Sequence, residues 1–170
     1  MIPMVNTKRV ERRDVKLGTL TDLSTELDRI EAAHQADTLT TLGNWSPGQI
    51  FTHCAILMRC AIDGFPPGKP SLPARIFLKL VIKPIALKGG PPPAGIQLPE
   101  KAAFLIPPDD TSFEDGIAQL RGVLARVTTG GERFVQRSPV FGKLTHEQWI
   151  GVQLGHCSLH LGFLKLSPEG

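Results

Sequence analysis

Eleven of the chain's 15 prolines fall between residues 66 and 108, and that distribution decides where long helices can form. A proline inside a helix removes an amide donor and drives its ring against the preceding turn. The segment from about Phe65 to Asp110 is therefore closed to long helices, whereas the rest of the chain is interrupted only at Pro3, Pro47, Pro139 and Pro168. Within the proline-rich segment, Leu72 to Lys83 predicts one short helix, ended near Pro84 by the missing amide and the restricted residue before it. A connection this long inside a compact domain serves as a lid, as a crossover spanning one end of the helices, or as a dimer contact.

Outside that stretch, four segments carry apolar residues at helical spacing behind recognisable caps. The first runs from about Leu20 to Ala36 after Thr19 or Thr21, with Leu20, Leu23, Leu27, Ile30 and Ala33 or His34 on one face. The second covers Pro47 to Asp63: Ser46 is its cap, Pro47 its first residue and Gln49 the capping-box partner. Gly64, Pro66 and Pro67 stop it. The third spans Ser112 to Val127, capped by Thr111 with Glu114 at the capping-box position, and aligns Phe113, Ile117, Leu120, Leu124 and Val127. The fourth runs from His146 to Leu164, capped by Thr145 with Gln148, and Pro168 closes it. Four amphipathic helices with little strand alternation predict an all-α fold, a helical bundle. At 170 residues this is one domain, with an N-terminal extension over about 1–18 and a crossover over about 65–110.

The charge pattern excludes several partners. With 19 Lys+Arg against 16 Asp+Glu, the small basic excess is spread along the chain. Only Lys8-Arg9 and Arg12-Arg13 cluster, and a solvated, frayed terminus explains them as well as a phosphate contact does. Aromatic residues are few and tyrosine is absent, so no stacking surface for nucleic acid is expected. The most hydrophobic stretch, Ile76 to Leu87, contains Lys79, Lys83 and Pro84 and is too short to span a bilayer. Its basic residues Arg75, Lys79, Lys83 and Lys88 fit the solvated face of a crossover helix, and no membrane partner is expected. No secretory signal is apparent. Cys54, Cys60 and Cys157 are odd in number, lack a CxxC and fall in predicted helices, so they read as small apolar core residues, reduced, in a cytoplasmic protein.

The chemistry lies in the histidines. His156 and His160 stand i, i+4 in the last helix, on a stripe with Trp149, Val152 and Phe163, and so point inward together. His53 lies on the apolar face of the second helix with Ile50, Leu57 and Ala61. A lone histidine in such a stripe is ordinarily a hydrogen-bonded core residue. A pair aimed at one point is different, because two buried imidazoles without partners would leave ring nitrogens unsatisfied. Neutral imidazoles so placed can supply three ligands of a divalent metal. His146, at a helix start, is expected to be exposed.

The run Gly43-Asn44-Trp45-Ser46-Pro47-Gly48-Gln49-Ile50-Phe51-Thr52-His53 resembles the opening of the second helix in the DinB-like superfamily, where a Trp-Ser-x-x-Gln-x-x-x-His pattern delivers the first metal histidine. His156-x-x-x-His160 resembles that superfamily's C-terminal pair. The stretch from Ser138 to Leu161, with the proline-rich middle, looks closer to one branch of uncharacterised bacterial proteins within it. The resemblance implies a four-helix bundle with a long crossover and frequent homodimers. It also implies a divalent metal on His53, His156 and His160; zinc or nickel is expected first and iron or manganese next, although all four accept imidazole and the histidines alone do not choose among them. Characterised members include S-transferases and isomerases that use a low-molecular-weight thiol, and many members have no known activity. Hydrolysis by a metal hydroxide would use the same ligands, but a convincing general base is missing: the last helix carries no acid after Glu147, and of the remaining candidates Asp63 stands near a helix end while Glu26, Asp28 and Glu31 are expected to face solvent. That absence favours thiol activation over hydrolysis. The alternative is a non-catalytic protein that binds metal or a small ligand.

Overall fold

A computed structural model describes residues 5–67, 72–88, 90–95, 100–135 and 137–167. Helix α1 (Leu20–Gln35) starts at Thr19, whose hydroxyl accepts from the Asp22 amide while the Asp22 carboxylate accepts from the Thr19 amide. Its Leu23, Leu27 and Ile30 are fully buried. Helix α2 (Pro47–Asp63) is held by the reciprocal Ser46–Gln49 capping box and ends at Gly64, whose φ of +105° suits glycine. Both helices lie within a residue of their sequence expectation.

The other two long helices depart from expectation in instructive ways. Helix α5 (Phe113–Thr128) is capped by Ser112, which accepts from the Asp115 amide, so the expected Thr111–Glu114 box does not form. The Thr111 hydroxyl instead donates to the Pro108 carbonyl. Helix α6 (His146–Leu161) begins at the Thr145–Gln148 box as expected but stops three residues short of Leu164. Leu164–Leu166 turns extended and pairs antiparallel with Leu39–Thr41, Thr40 lying opposite Lys165. These strands are β1 (Leu39–Thr41) and β4 (Leu164–Leu166), and a second short pair joins β2 (Arg137–Ser138) to β3 (Gly142–Lys143). The chain is thus mostly helical with two small strand pairs. Pro168, expected to close the last helix, lies outside the described residues, as do Pro70 and Pro99.

In the crossover, the helix expected to end near Pro84 continues. Leu72–Phe77 (α3) leads into a π-helical turn, Leu78–Ile82, and then into Lys83–Leu87 (α4). The Lys83 amide bonds the Leu78 carbonyl five residues back, and Pro84 falls in the first turn of α4, where its missing donor is tolerated. A 3₁₀ helix, Glu100–Leu105, follows before α5. No helix is long and apolar enough to cross a membrane among the described residues.

Helix α2 packs on α5 and α6, α1 touches both of these, and α4 lies on α6. One apolar core joins them, from Leu23 through Phe51 and Leu120 to Trp149. At the α2–α5 crossing two glycines meet: a Cβ on Gly116 would stand 2.4 Å from the Gly48 carbonyl oxygen. The described part of the N-terminal arm is packed against the helices rather than frayed. The Arg13 amide bonds the Gly162 carbonyl, its guanidinium reaches the Leu164 carbonyl and Glu26, and Val15 and Leu17 are buried. Glu26, expected in solvent, is only 5 % exposed beneath this arm. His34 faces away from the core and stacks on Phe113 at 3.8 Å between ring centroids.

Candidate metal centre

The middle of α2 faces the C-terminal half of α6, and this brings His53 to His156 and His160. The three residues each offer a ring nitrogen, and these atoms lie within 4.8 Å of one another. His53 Nε2 stands 3.0 Å from His156 Nε2. Imidazole nitrogens bound to one tetrahedral zinc at about 2.0–2.1 Å are roughly 3.3 Å apart, so the spacing suits a single ion.

Hydrogen bonding assigns the role of one ring. The Nδ1 of His53 lies 2.6 Å from the Leu105 carbonyl oxygen, which can only accept. Nδ1 therefore carries the proton, and the Nε2 lone pair is turned toward the other histidines. His156 Nδ1 is buried without a partner. The Trp45 ring stacks on His160, with 5.6 Å between centroids and 20° between planes, and also covers His53. Burial pushes the pKa of His53 down, the Leu105 carbonyl opposing it. Burial and the neighbouring histidines hold His156 well below the ordinary value, and burial, His53 and the Arg12 guanidinium do so for His160. Neutral imidazoles with free lone pairs are what a divalent cation requires.

The three rings line a chamber of about 470 Å³ whose walls include Trp45, Phe65, Phe141, Trp149 and Phe163. The sequence stripe Trp149, Val152, His156, His160 and Phe163 all faces it, and the crossover supplies Leu78, Ile82 and Ala86. The crossover is thus a wall of the site. No Asp, Glu, Lys or Arg lines the chamber among the described residues; Thr7, Asn44 and Ser138 are polar points beside the histidines.

The carboxylates weighed from the sequence are engaged elsewhere. Asp63 and Glu132 share Arg126, and that contact holds both carboxyls below their usual range. Asp28 and Glu31 share Arg121, while Glu26 binds Arg13 and Arg29. His146 is half-buried, its Nδ1 accepting from the Phe134 amide, apart from the cluster. Cys54 and Cys157 are buried and contact each other, which together with burial pushes the Cys54 thiol well up. They are core residues, in line with the sequence reading.

Two parts of the site were not placed there by the sequence. One is the Leu105 carbonyl, a backbone atom that any residue would carry. The other is Arg12, which donates to the Leu159 carbonyl at 3.3 Å and lies 5.3 Å from the Phe163 ring centroid, beside His160. Over residues 10–167 the sequence matches the family described as protein of unknown function (DUF1569). Comparisons with curated proteins and with solved structures return no match.

Proposed function

The chain belongs to this family of unknown function, DUF1569, and we propose that it is a metal-dependent S-transferase: His53, His156 and His160 would hold a divalent ion, zinc or nickel, that lowers the pKa of a small thiol, and in the apolar chamber the thiolate sulfur would bond to an electrophilic carbon as a leaving group such as halide departs and the thiol proton passes to solvent. In this reading α1, α2, α5 and α6 form a four-helix bundle of the DinB-like kind, and the whole chain is one domain. An ion held by three neutral imidazoles keeps its full charge and an open position, and so brings the pKa of a bound thiol toward neutrality.

The observation that carries the reading is the chemistry of the chamber wall, which offers three imidazoles and no carboxylate among the described residues. Hydrolysis profits from a carboxylate that takes a proton from the attacking water, as the glutamate of HExxH does. A thiol lowered in pKa needs no such base. The aromatic walls exclude water from the attacking sulfur, and the Leu105 carbonyl holds the His53 ring in position. Cys54, Cys60 and Cys157 are free thiols, which supports action in the reducing cytoplasm.

The test uses tag-free protein loaded with cobalt. Addition of 2-mercaptoethanol produces a sulfur-to-cobalt charge-transfer band in the wild type, and none in His156→Ala. Thiol-dependent consumption of an aryl halide then follows the band. Stoichiometric cobalt with neither band nor turnover would favour a non-catalytic metal-binding protein. Absence of bound metal after loading with zinc, nickel, iron, manganese and cobalt would remove the reading altogether.

A further inference from the structure

A second cleft, of about 540 Å³, adjoins the chamber. The two share Thr7, Pro93, Ala94 and Gly95, and the second adds Lys8, Arg12 and Phe77. Among the described residues the chamber has no Asp, Glu, Lys or Arg in its walls and the cleft has two cations, so together they carry formal charge at one end only. Neither Lys8 nor Arg12 pairs with a carboxylate among the described residues, whereas the neighbouring Arg13 is held by Glu26 and the Leu164 carbonyl. Arg12 is nonetheless positioned: one nitrogen donates to the Leu159 carbonyl and its guanidinium lies over Phe163, a chamber wall. That leaves most of its fork of donors free to meet an anion.

Lys8 is placed by the turn opposite. Gly95 has φ +75°, and a Cβ there would stand 2.5 Å from Lys8 Cγ, so the lysine stem lies against a residue with no side chain. The ammonium is exposed at the cleft while its stem packs.

Resting on the reading of the chamber as a substrate site, we propose that the cleft is an anion subsite: the molecule that enters carries a carboxylate or phosphate, held by Lys8 and Arg12, and an apolar body that reaches toward the three histidines. Between the cleft and the histidines an anion would meet aromatic walls and no charged side chain among the described residues, which is costly. At the cleft it meets an arginine already aimed and a lysine at the rim.

The test follows the fluorescence of Trp45 and Trp149, both chamber residues, as hexanoate, hexyl phosphate and hexan-1-ol are titrated into full-length protein, zinc-loaded and zinc-stripped, with zinc counted in parallel. At least one anion is expected to bind about tenfold or more tighter than the alcohol in both forms. The preferred anion tells carboxylate from phosphate. In Lys8→Gln with Arg12→Gln the preference collapses while alcohol binding persists; Lys8→Gln alone, at an exposed position, gives a partial loss and guards against misfolding of the double variant. Equal affinity for all three probes overturns the subsite. So does an anion preference that survives the double variant, including one that appears only with zinc, since the carboxylate would then sit on the ion. A failed zinc count speaks against the metal reading alone, because the zinc-stripped titration still decides the subsite.

Discussion

The Nδ1 of His53 donates a 2.6 Å hydrogen bond to the carbonyl of Leu105, so a ring on α2 is held by the last residue of the crossover's 3₁₀ helix, 52 positions away. The proline-rich segment therefore helps build the centre as well as linking helices. It walls the chamber with Leu78, Ile82 and Ala86 and sets the tautomer of one histidine.

That bond makes the tautomer measurable. Long-range ¹⁵N–¹H correlation spectra of metal-stripped protein at pH about 7.5 are expected to show His53 protonated at Nδ1, with Nε2 carrying the lone pair. On zinc addition the Nε2 shift moves and the Nδ1 proton remains. An Nε2-protonated His53 would contradict the geometry.

Metal-stripped protein should lose stability as the pH falls below about 6.5, the ordinary histidine value. His53, His156 and His160 all have folded pKa values below it, so the unfolded chain takes up protons first, and stability rises with pH through this window and levels above it. Urea midpoints between pH about 5.5 and 7.5 check this, and the slope should be shallower in His156→Leu. A flat wild-type profile over that range is the contrary result.

Gly116→Ala should destabilise by about 1–3 kcal/mol, because its Cβ would stand 2.4 Å from the Gly48 carbonyl oxygen and the two helix backbones must part. Gly122, on the same helix, is the control: a Cβ there meets nothing within 4 Å, and Gly122→Ala should stabilise by about 0.5–1 kcal/mol through helix propensity. Denaturant midpoints of the pair separate packing from propensity.

Gln153 is fully buried, and both its amide atoms lack a partner. Replacing the amide with an apolar chain of similar volume removes an uncompensated desolvation, so Gln153→Met should be neutral or stabilising by about 1–3 kcal/mol. A loss greater than about 1 kcal/mol would mean that the amide is satisfied in solution, for instance by a buried water.

Much of the helical scaffold was readable from local chemistry. Ser46 with Gln49 and Thr145 with Gln148 announce helix starts because a capping box is closed within four residues. Thr111 failed as a cap for an equally local reason, its hydroxyl being taken by Pro108 while Ser112 capped the helix one residue later. Glu26 was misplaced because its neighbours in α1 say nothing of the N-terminal arm that buries it and brings Arg13. The end of α6 was misplaced because Leu164 continues the apolar pattern of a helix, while its backbone is claimed by a strand near residue 40.

Sequence by itself determined the helical starts, the apolar stripes and the common aim of His156 and His160, because each depends on periodicity and capping over a turn or two. Tertiary structure alone decided that His53 joins them, that Leu105 orients it, that Arg12 lies beside His160 and that no acid among the described residues reaches the chamber. Those relationships join backbone and side-chain atoms scores of residues apart, and their distances follow from how the helices pack rather than from any local preference.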